Sequence, residues 1–279
     1  MRVHLLGVRG STPCPGIEFV RYGGNTSCVA VASGTDSPSL VLDAGTGIQR
    51  LAAVLHEAPF DGTVLLTHLH WDHVEGLPFC TSVDRDDART DVYLPAQPDG
   101  TGAAAALGGM MSPPHFPIGP PGLRGDWTFS SLEPGAHKFE QFSVLATEVA
   151  HKGGRTFGYR VSDGDSALAY IPDHCPTVYG PGPDGWGDYP QHVMDLVSGV
   201  DVLVHDALLS ADELPDGAAG GHAAAEHAVA LGEAAGVGTV VLFHHSHRRT
   251  DAMLDMVADR YRDHPTRVMV AAEGTVLDL

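Results

Sequence analysis

The chain has 279 residues, 43% of them hydrophobic and 18% charged, which suits one folded domain over residues 1–279 rather than a disordered or fibrous protein. No apolar run approaches the ~20 residues of a membrane span, and the opening Met1–Gly7 is too soon broken by glycine to read as a signal peptide. Sixteen Lys+Arg stand against 35 Asp+Glu, a formal net charge of −19, so long-range attraction to nucleic acid is disfavoured.

In chain order, Val3–Val8, Ser27–Ala32 and Ser39–Leu42 are short apolar runs separated by turn residues and are predicted strands. After Asp43-Ala44-Gly45, Ile48, Leu51, Ala52 and Leu55 fall on one helical face. Thr63–Thr67 is a further buried strand. Residues 75–126 suggest a short helix and an extended loop, an insert that would serve as a lid offering Met110, Met111, Phe116 and, just beyond it, Trp127 to a small substrate.

From Trp127 strands resume, with Phe142–Val149, Thr156–Val161 and Ala167–Ile171, followed by the Gly/Pro-rich loop Cys175–Tyr189. Helix Gln191–Ser198 and strand Val202–His205 come next. A helix over His222–Ala235 ends at Gly236, strand Val240–Phe243 follows, and Asp251 caps a last helix. Val268–Ala271 and Thr275–Leu277 are expected to close the chain as a strand pair. Strands dominate both halves and helices intervene late in each, which fits an α/β architecture of two packed sheets with helices outside.

The four cysteines, Cys14, Cys28, Cys80 and Cys175, form no C-x-x-C pair, and free thiols in a reducing cytoplasm are expected. Histidine, at 17 residues, is the over-used residue, and it clusters after apolar runs. Thr67-His68-Leu69-His70-Trp71-Asp72-His73 places four potential ligands directly after a strand. Residues two apart in an extended stretch point the same way, so His68 and His70 can face one metal. The turn that follows lets Asp72 and His73 face a second. Imidazole with carboxylate suits Zn²⁺, with Mn²⁺ or Fe²⁺ as alternatives. The same pattern of strand end plus ligand recurs at His151, Asp173 and His244. Each alone would be read as a loop residue; together they supply the number and type of ligands that two metal ions need.

The order H-x-H-x-D-H, then His, Asp and His at strand ends, resembles the metallo-β-lactamase superfamily across nearly the whole chain. The resemblance implies an αββα sandwich of two mixed sheets, with metals at one edge. It implies that His68, His70 and His151 hold one divalent ion, that Asp72, His73 and His244 hold the other, and that Asp173 bridges both. A hydroxide held between the ions would then be the nucleophile.

An aspartate at position 173 resembles the phosphodiesterase, ribonuclease Z, glyoxalase and lactonase branches rather than the two-zinc β-lactamases, which typically carry cysteine there. Val204-His205-Asp206-Ala207 resembles the His-Glu-Ala-Thr motif of ribonuclease Z, and Gly221-His222-Ala223-Ala224 stands where that family has His-Ser-Thr. By that resemblance His222 is the general acid and Asp206 its partner, beside Asp72 at the reaction itself. Gly7-Val8-Arg9-Gly10-Ser11-Thr12-Pro13 and Tyr22-Gly23-Gly24-Asn25-Thr26-Ser27 resemble a bacterial subgroup related to ribonuclease Z and cyclic phosphodiesterases. Arg9, Asn25 and Thr26 are either phosphate contacts or loop caps. The interval Asp173 to Asp206 is too short for the tRNA-gripping arm of ribonuclease Z. The leading expectation is a binuclear phosphodiesterase of a small diester. The alternatives are a lactone, thioester or β-lactam hydrolase, ribonuclease Z-like RNA processing, and a metal-binding protein without turnover. Relatives are often dimers, so a homodimer is also among the expectations.

Overall fold

The structure is a computed structural model describing all 279 residues. The first half lays down β1 (Arg2–Gly7), β2 (Cys28–Ala32), β3 (Leu40–Leu42), β4 (Asp61–Leu65), β5 (Arg89–Pro95) and β6 (Asp126–Leu132). The second lays down β7 (Gly135–Phe139), β8 (Phe142–Val149), β9 (Thr156–Ser162), β10 (Ala167–Ile171), β11 (Val202–Asp206), β12 (Thr239–Phe243) and β13 (Arg267–Val270). β14 (Val276–Asp278) then returns to the first sheet. The sheet orders are β14-β1-β2-β3-β4-β5-β6 and β13-β12-β11-β10-β9-β8-β7.

Each sheet is antiparallel at one end and parallel at the other: β3 to β6 run parallel, as do β10 to β13. Parallel neighbours need a crossover, and here every crossover carries helical turns. α1 (Leu51–Val54), α2 (Trp71–Val74) and α3 (Ala103–Gly108) serve the first sheet. α4 (Gln191–Val197), α5 (Leu214–Gly217), α6 (Ala225–Ala235) and α7 (Asp251–Arg260) serve the second. The helices cover the outer faces, which gives the αββα sandwich. No helix is long and apolar enough to cross a membrane.

Three apolar layers follow. Between the sheets lie Leu5, Val31, Leu42, Phe157, Tyr170 and Phe243. Behind the second sheet Val193, Leu196, Leu231 and Leu254 pack on Ile171 and Leu203. Behind the first, Ile48, Leu51 and Leu107 pack on Val41 and Val64. Strands covered on both faces, such as the wholly buried Cys-Val-Ala-Val-Ala of β2, are continuous apolar runs, whereas β8 alternates buried and exposed.

Three expectations are revised. Residues 75–126 contain β5, which lies inside the sheet between β4 and β6; only the part after it stands outside. In β5 Thr90, Val92 and Leu94 are buried, Val92 and Leu94 beneath the helices, while Arg89, Asp91 and the half-buried Tyr93 on the other face interrupt the apolar run. β13 and β14 do not pair: β13 joins β12, and β14 joins β1 in the other sheet. The helix expected from His222 begins at Ala225, which leaves His222 in a loop.

Two buried tyrosines tie the sheets together. Tyr159 on β9 donates its hydroxyl to the Leu66 carbonyl at 2.6 Å, and Tyr170 on β10 donates to Asp43 Oδ2 at 2.9 Å. Tyr159→Phe leaves a buried carbonyl without its partner, so unfolding free energy should fall by about 1–3 kcal/mol in chemical denaturation. An unchanged midpoint would show the tie to be dispensable.

Candidate metal centre

The cluster residues come from strand ends along the seam between the sheets, mostly at the carboxyl ends of parallel strands. His68, His70, Asp72 and His73 follow β4, Asp173 follows β10, Asp206 ends β11, and His244 follows β12. This is where open α/β sheets place their ligands. His151 follows β8.

The turn bearing Asp72 and His73 is clamped by the loop after β3. The Ala44 N–H donates to the His73 carbonyl, and the Gly76 N–H to the Ala44 carbonyl. A Cβ on Gly45 would lie 2.2 Å from the Asp72 carbonyl oxygen, so only glycine allows this approach. Asp43, buried and at φ 59°, sits beneath the turn. Its carboxylate accepts from the Thr67 N–H (2.7 Å), the Thr67 hydroxyl, His73 Nδ1 (2.8 Å) and the Tyr170 hydroxyl.

With Nδ1 given to Asp43, His73 presents Nε2 as a lone pair. Nε2 lies 3.0 Å from Asp173 Oδ2, 3.3 Å from Asp72 Oδ2 and 3.3 Å from His244 Nε2. On the other side, the His151 Nδ1–H donates to the Gly221 carbonyl at 2.7 Å, which frees Nε2. That atom lies 3.3 Å from His70 Nδ1 and 3.4 Å from Asp173 Oδ1. His68 Nδ1 is held by the Thr67 hydroxyl at 3.0 Å, while its Nε2 is buried without a partner. The two oxygens of Asp173 therefore face different groups, His151 on one side and His73 with His244 on the other.

With the imidazoles neutral these are acceptors facing acceptors, an arrangement that divalent cations between them resolve. Tetrahedral Zn²⁺ with bonds of about 2.0–2.1 Å separates its ligands by about 3.3–3.4 Å, the spacing seen here. His68, His70 and His151 form one group with ligand atoms within 4.8 Å of one another, and Asp72, His73 and His244 form another. The residues present fit divalent metal.

The carboxylates draw positive charge into the cluster: burial disfavours a charged His73, but Asp72, Asp173 and Asp43 outweigh it and raise the ring well above the usual imidazole value. Burial opposes ionisation of Asp72, but His73 and His244 outweigh it and hold the carboxyl well below the usual range. Burial is likewise outweighed at Asp173, chiefly by His244 and His73. Burial and the neighbouring His73 keep His68 neutral, the ligating form.

The opening glycine-rich motif supports this centre from the side. The Ser11 N–H donates to Asp72 Oδ2 at 2.7 Å. A Cβ on Gly10 would lie 2.4 Å from His244 Nδ1, so the ring stacks on bare backbone. Arg9 has no exposed surface; it donates to the carbonyls of Gly23, Ser246 and Arg249, the last at 2.7 Å. Asn25 binds Glu273, and Thr26 exchanges hydrogen bonds with Thr46. All three therefore tie loops together and do not reach the cleft, which decides the alternative the sequence leaves open. Lys152 is exposed and reaches only the Ala219 carbonyl, and His247 is exposed.

Ser11, Leu69, His70, Trp71, Asp72, Asp173, His222 and His244 line an open cleft of about 350 Å³. A cleft of similar volume between α6 and α7 is mostly apolar and carries no such cluster. His222 Nδ1 lies 3.0 Å from Asp206 Oδ2 and 3.6 Å from Asp173 Oδ1. Asp206 is fully buried and also accepts from the N–H groups of His174, Leu208 and Ala223.

Residues 39–245 match the family model described as the β-lactamase superfamily domain. The chain belongs to the metallo-β-lactamase superfamily, a superfamily of hydrolases. A relative is Ribonuclease BN of Escherichia coli, 24% identical over 278 positions that span 78% of this chain and 81% of that one. Among solved structures, the metallo-β-lactamase fold protein YhfI from Bacillus subtilis superposes with a TM-score of 0.71 at 19% identity, covering 99% of both chains. A diphosphatase from the PhnP family superposes with a TM-score of 0.71 at 17% identity, covering 100% of this chain and 97% of that one. At these identities the likeness establishes the fold.

Sequence reasoning missed Asp43, whose only local signal is a carboxylate ending the apolar run Leu40–Leu42. Outer partners that orient ligand imidazoles are worth 10–100-fold in metal affinity. Asp43→Asn tolerates the left-handed backbone but weakens the hold on His73. Zinc affinity measured by chelator competition should fall by about 10–100-fold; an unchanged affinity would remove Asp43 from this role.

Proposed function

We propose that this chain is a binuclear metal-dependent phosphodiesterase acting on a small diester such as a cyclic nucleotide. The observation that carries the reading is the His222–Asp206 pair beside the ligand cluster. Hydrolysis of a phosphodiester expels an alkoxide, which needs a proton. His222 Nδ1 is held by Asp206, so Nε2 is the atom left to donate one. Burial lowers the pKa of His222, but Asp206, with Asp173 and Asp72 adding to it, raises it to about 9. Cations held by Asp173 and Asp72 would offset those two carboxylates and leave Asp206 as the partner that keeps the imidazolium charged.

Two divalent ions, Zn²⁺ by the donor set, supply Lewis acidity and water of lowered pKa when bound. His68, His70 and His151 would hold one, Asp72, His73 and His244 the other, with Asp173 shared. Asp72, oriented by the Ser11 N–H, aims its carboxylate at the reacting centre. The cleft volume suits a small molecule. The interval corresponding to the arm of ribonuclease Z is folded against the core through Val193, Leu196 and Val197. With the net charge of −19, this weighs against RNA, despite the likeness to Ribonuclease BN.

Trp71 is 73% exposed on the cleft rim, and a hollow beside it is lined by Glu75, Gly109, Met110 and His115. We assign the apolar part of the substrate, such as a base, to this ring and to the segment after β5. Within that segment Met111 is buried and Phe116 sits edge-on to Phe79, so Met110 rather than Met111 faces the hollow. Trp71→Ala should raise KM several-fold with kcat little changed; an unaltered KM for every accepted substrate would sink this assignment.

The general-acid role has a leaving-group signature. His222→Ala should retain its metal and lose about 10²–10⁴ in kcat on diesters with alkyl leaving groups. It should lose far less on bis(p-nitrophenyl) phosphate, whose phenolate leaves unaided. Equal losses on both, or loss of metal, would contradict the role. The acid must be protonated, so wild-type kcat should fall on the alkaline side, with the limb between the ordinary imidazole value of 6.5 and about 9. His222→Gln should abolish that limb. A panel of 2′,3′- and 3′,5′-cyclic nucleotides, a lactone, a thioester, a β-lactam and precursor tRNA tests the substrate class. Turnover of a carbonyl substrate with none of any phosphodiester would overturn the reading.

A further inference from the structure

Behind the cleft lies a second group of imidazoles that takes no part in it. His174 follows β10, His205 lies on β11 and His227 on α6, and none has exposed surface. Their ring centroids are 5.2, 5.6 and 5.6 Å apart, close to the 4.4, 5.0 and 5.1 Å among His68, His70 and His151. One nitrogen of each lies within 4.8 Å of one nitrogen of each of the others.

Hydrogen bonding accounts for only part of the group. The His205 Nδ1–H donates to the Asp206 carbonyl at 2.8 Å, so His205 Nε2 is an acceptor, at hydrogen-bond distance from His174. His174 Nδ1 lies 3.0 Å from it. His174 Nε2 and both nitrogens of His227 are buried with no partner. A neutral imidazole carries one donor and one acceptor, and leaving both unmade in a protein interior is costly and rare. Around His227 the nearest rings are His174, His205 and Tyr189. Burial keeps His227 well below the usual imidazole pKa, in the neutral state that ligates metals.

We propose that His174, His205 and His227 form a further metal site, which takes one divalent ion of the zinc class through one nitrogen of each ring. Three imidazoles suit Zn²⁺ and its neighbours Ni²⁺ and Cu²⁺. His205 contributes Nε2, since its Nδ1 is committed. The buried Asp206 carboxylate, next in sequence to His205 and bonded to the His174 N–H, supplies negative charge nearby. The ion would join the loop after β10, the strand β11 and the helix α6. The first two carry Asp173 and Asp206, and α6 begins three residues after His222, so the ion would brace the floor of the cleft without entering it.

The test is metal stoichiometry, which needs no substrate and no assumption about the cleft. Zinc-loaded wild-type protein, freed of excess ion by gel filtration, should hold one equivalent more than His227→Asn, whatever number the cleft retains. A chain with His68→Ala and His244→Ala should keep the extra equivalent, and adding His227→Asn should remove it. Equal zinc content in wild type and His227→Asn overturns the proposal. Should the variant fail to fold, an anomalous difference map of zinc-loaded wild-type crystals decides. A zinc peak among the three rings supports the site; a water or no density there, with zinc confined to the cleft, refutes it.

Discussion

The centre depends on the buried carboxylate of Asp43. It accepts four hydrogen bonds, from Thr67 twice, His73 and Tyr170, and so joins the loop after β3, the end of β4, the ligand turn and the opposite sheet. Taking Nδ1 of His73 fixes which nitrogen faces the cluster, and the rest of that shell is arranged around this atom. A buried carboxylate is costly unless its lone pairs are filled. Here they are filled by groups that must be ordered for the site to exist, so its satisfaction and the site's geometry are one condition.

The same economy runs through the opening motif. Residues that read as possible phosphate contacts prove to be scaffold. Arg9 spends its planar fork of donors on three carbonyls in two loops, a geometry a lysine could not reproduce. Gly10 gives up its side chain so that His244 can lie against backbone, and His244 itself holds a left-handed φ of 57°. Such backbone strain persists where the surroundings over-determine it, as they do at sites that hold ligands.

Much of this was legible in the sequence for a physical reason. Buried strands of a two-sided sheet are continuous apolar runs, and the carboxyl ends of such strands are where ligands collect, so His68, Asp173 and His244 stand out at run ends. β5 was not legible, because Arg89, Asp91 and Tyr93, at alternate positions on one face, break the run. The separation of β13 and β14 between sheets depends on the pairing of β14 with β1 at the far end of the chain, which no local pattern encodes. Asp43 is visible only through Thr67, His73 and Tyr170, the last 127 positions distant. His174, His205 and His227 are each unremarkable along the chain and meet only because β10 and β11 pair in parallel and α6 returns over them.

Both shells of the binuclear centre draw from both sheets. His68 and His70 come from the first, and His151 from the second. Asp72 and His73 come from the first, and His244 from the second. Neither half of the sandwich supplies a whole shell of this centre, so the centre would report the docking of the two halves as a lock reports that both leaves of a door are shut. Ion capture would thus add to the apolar layer that closes the sandwich, and a chain starved of metal would be weakened first along this seam, where the carboxylates of Asp72 and Asp173 lie close together.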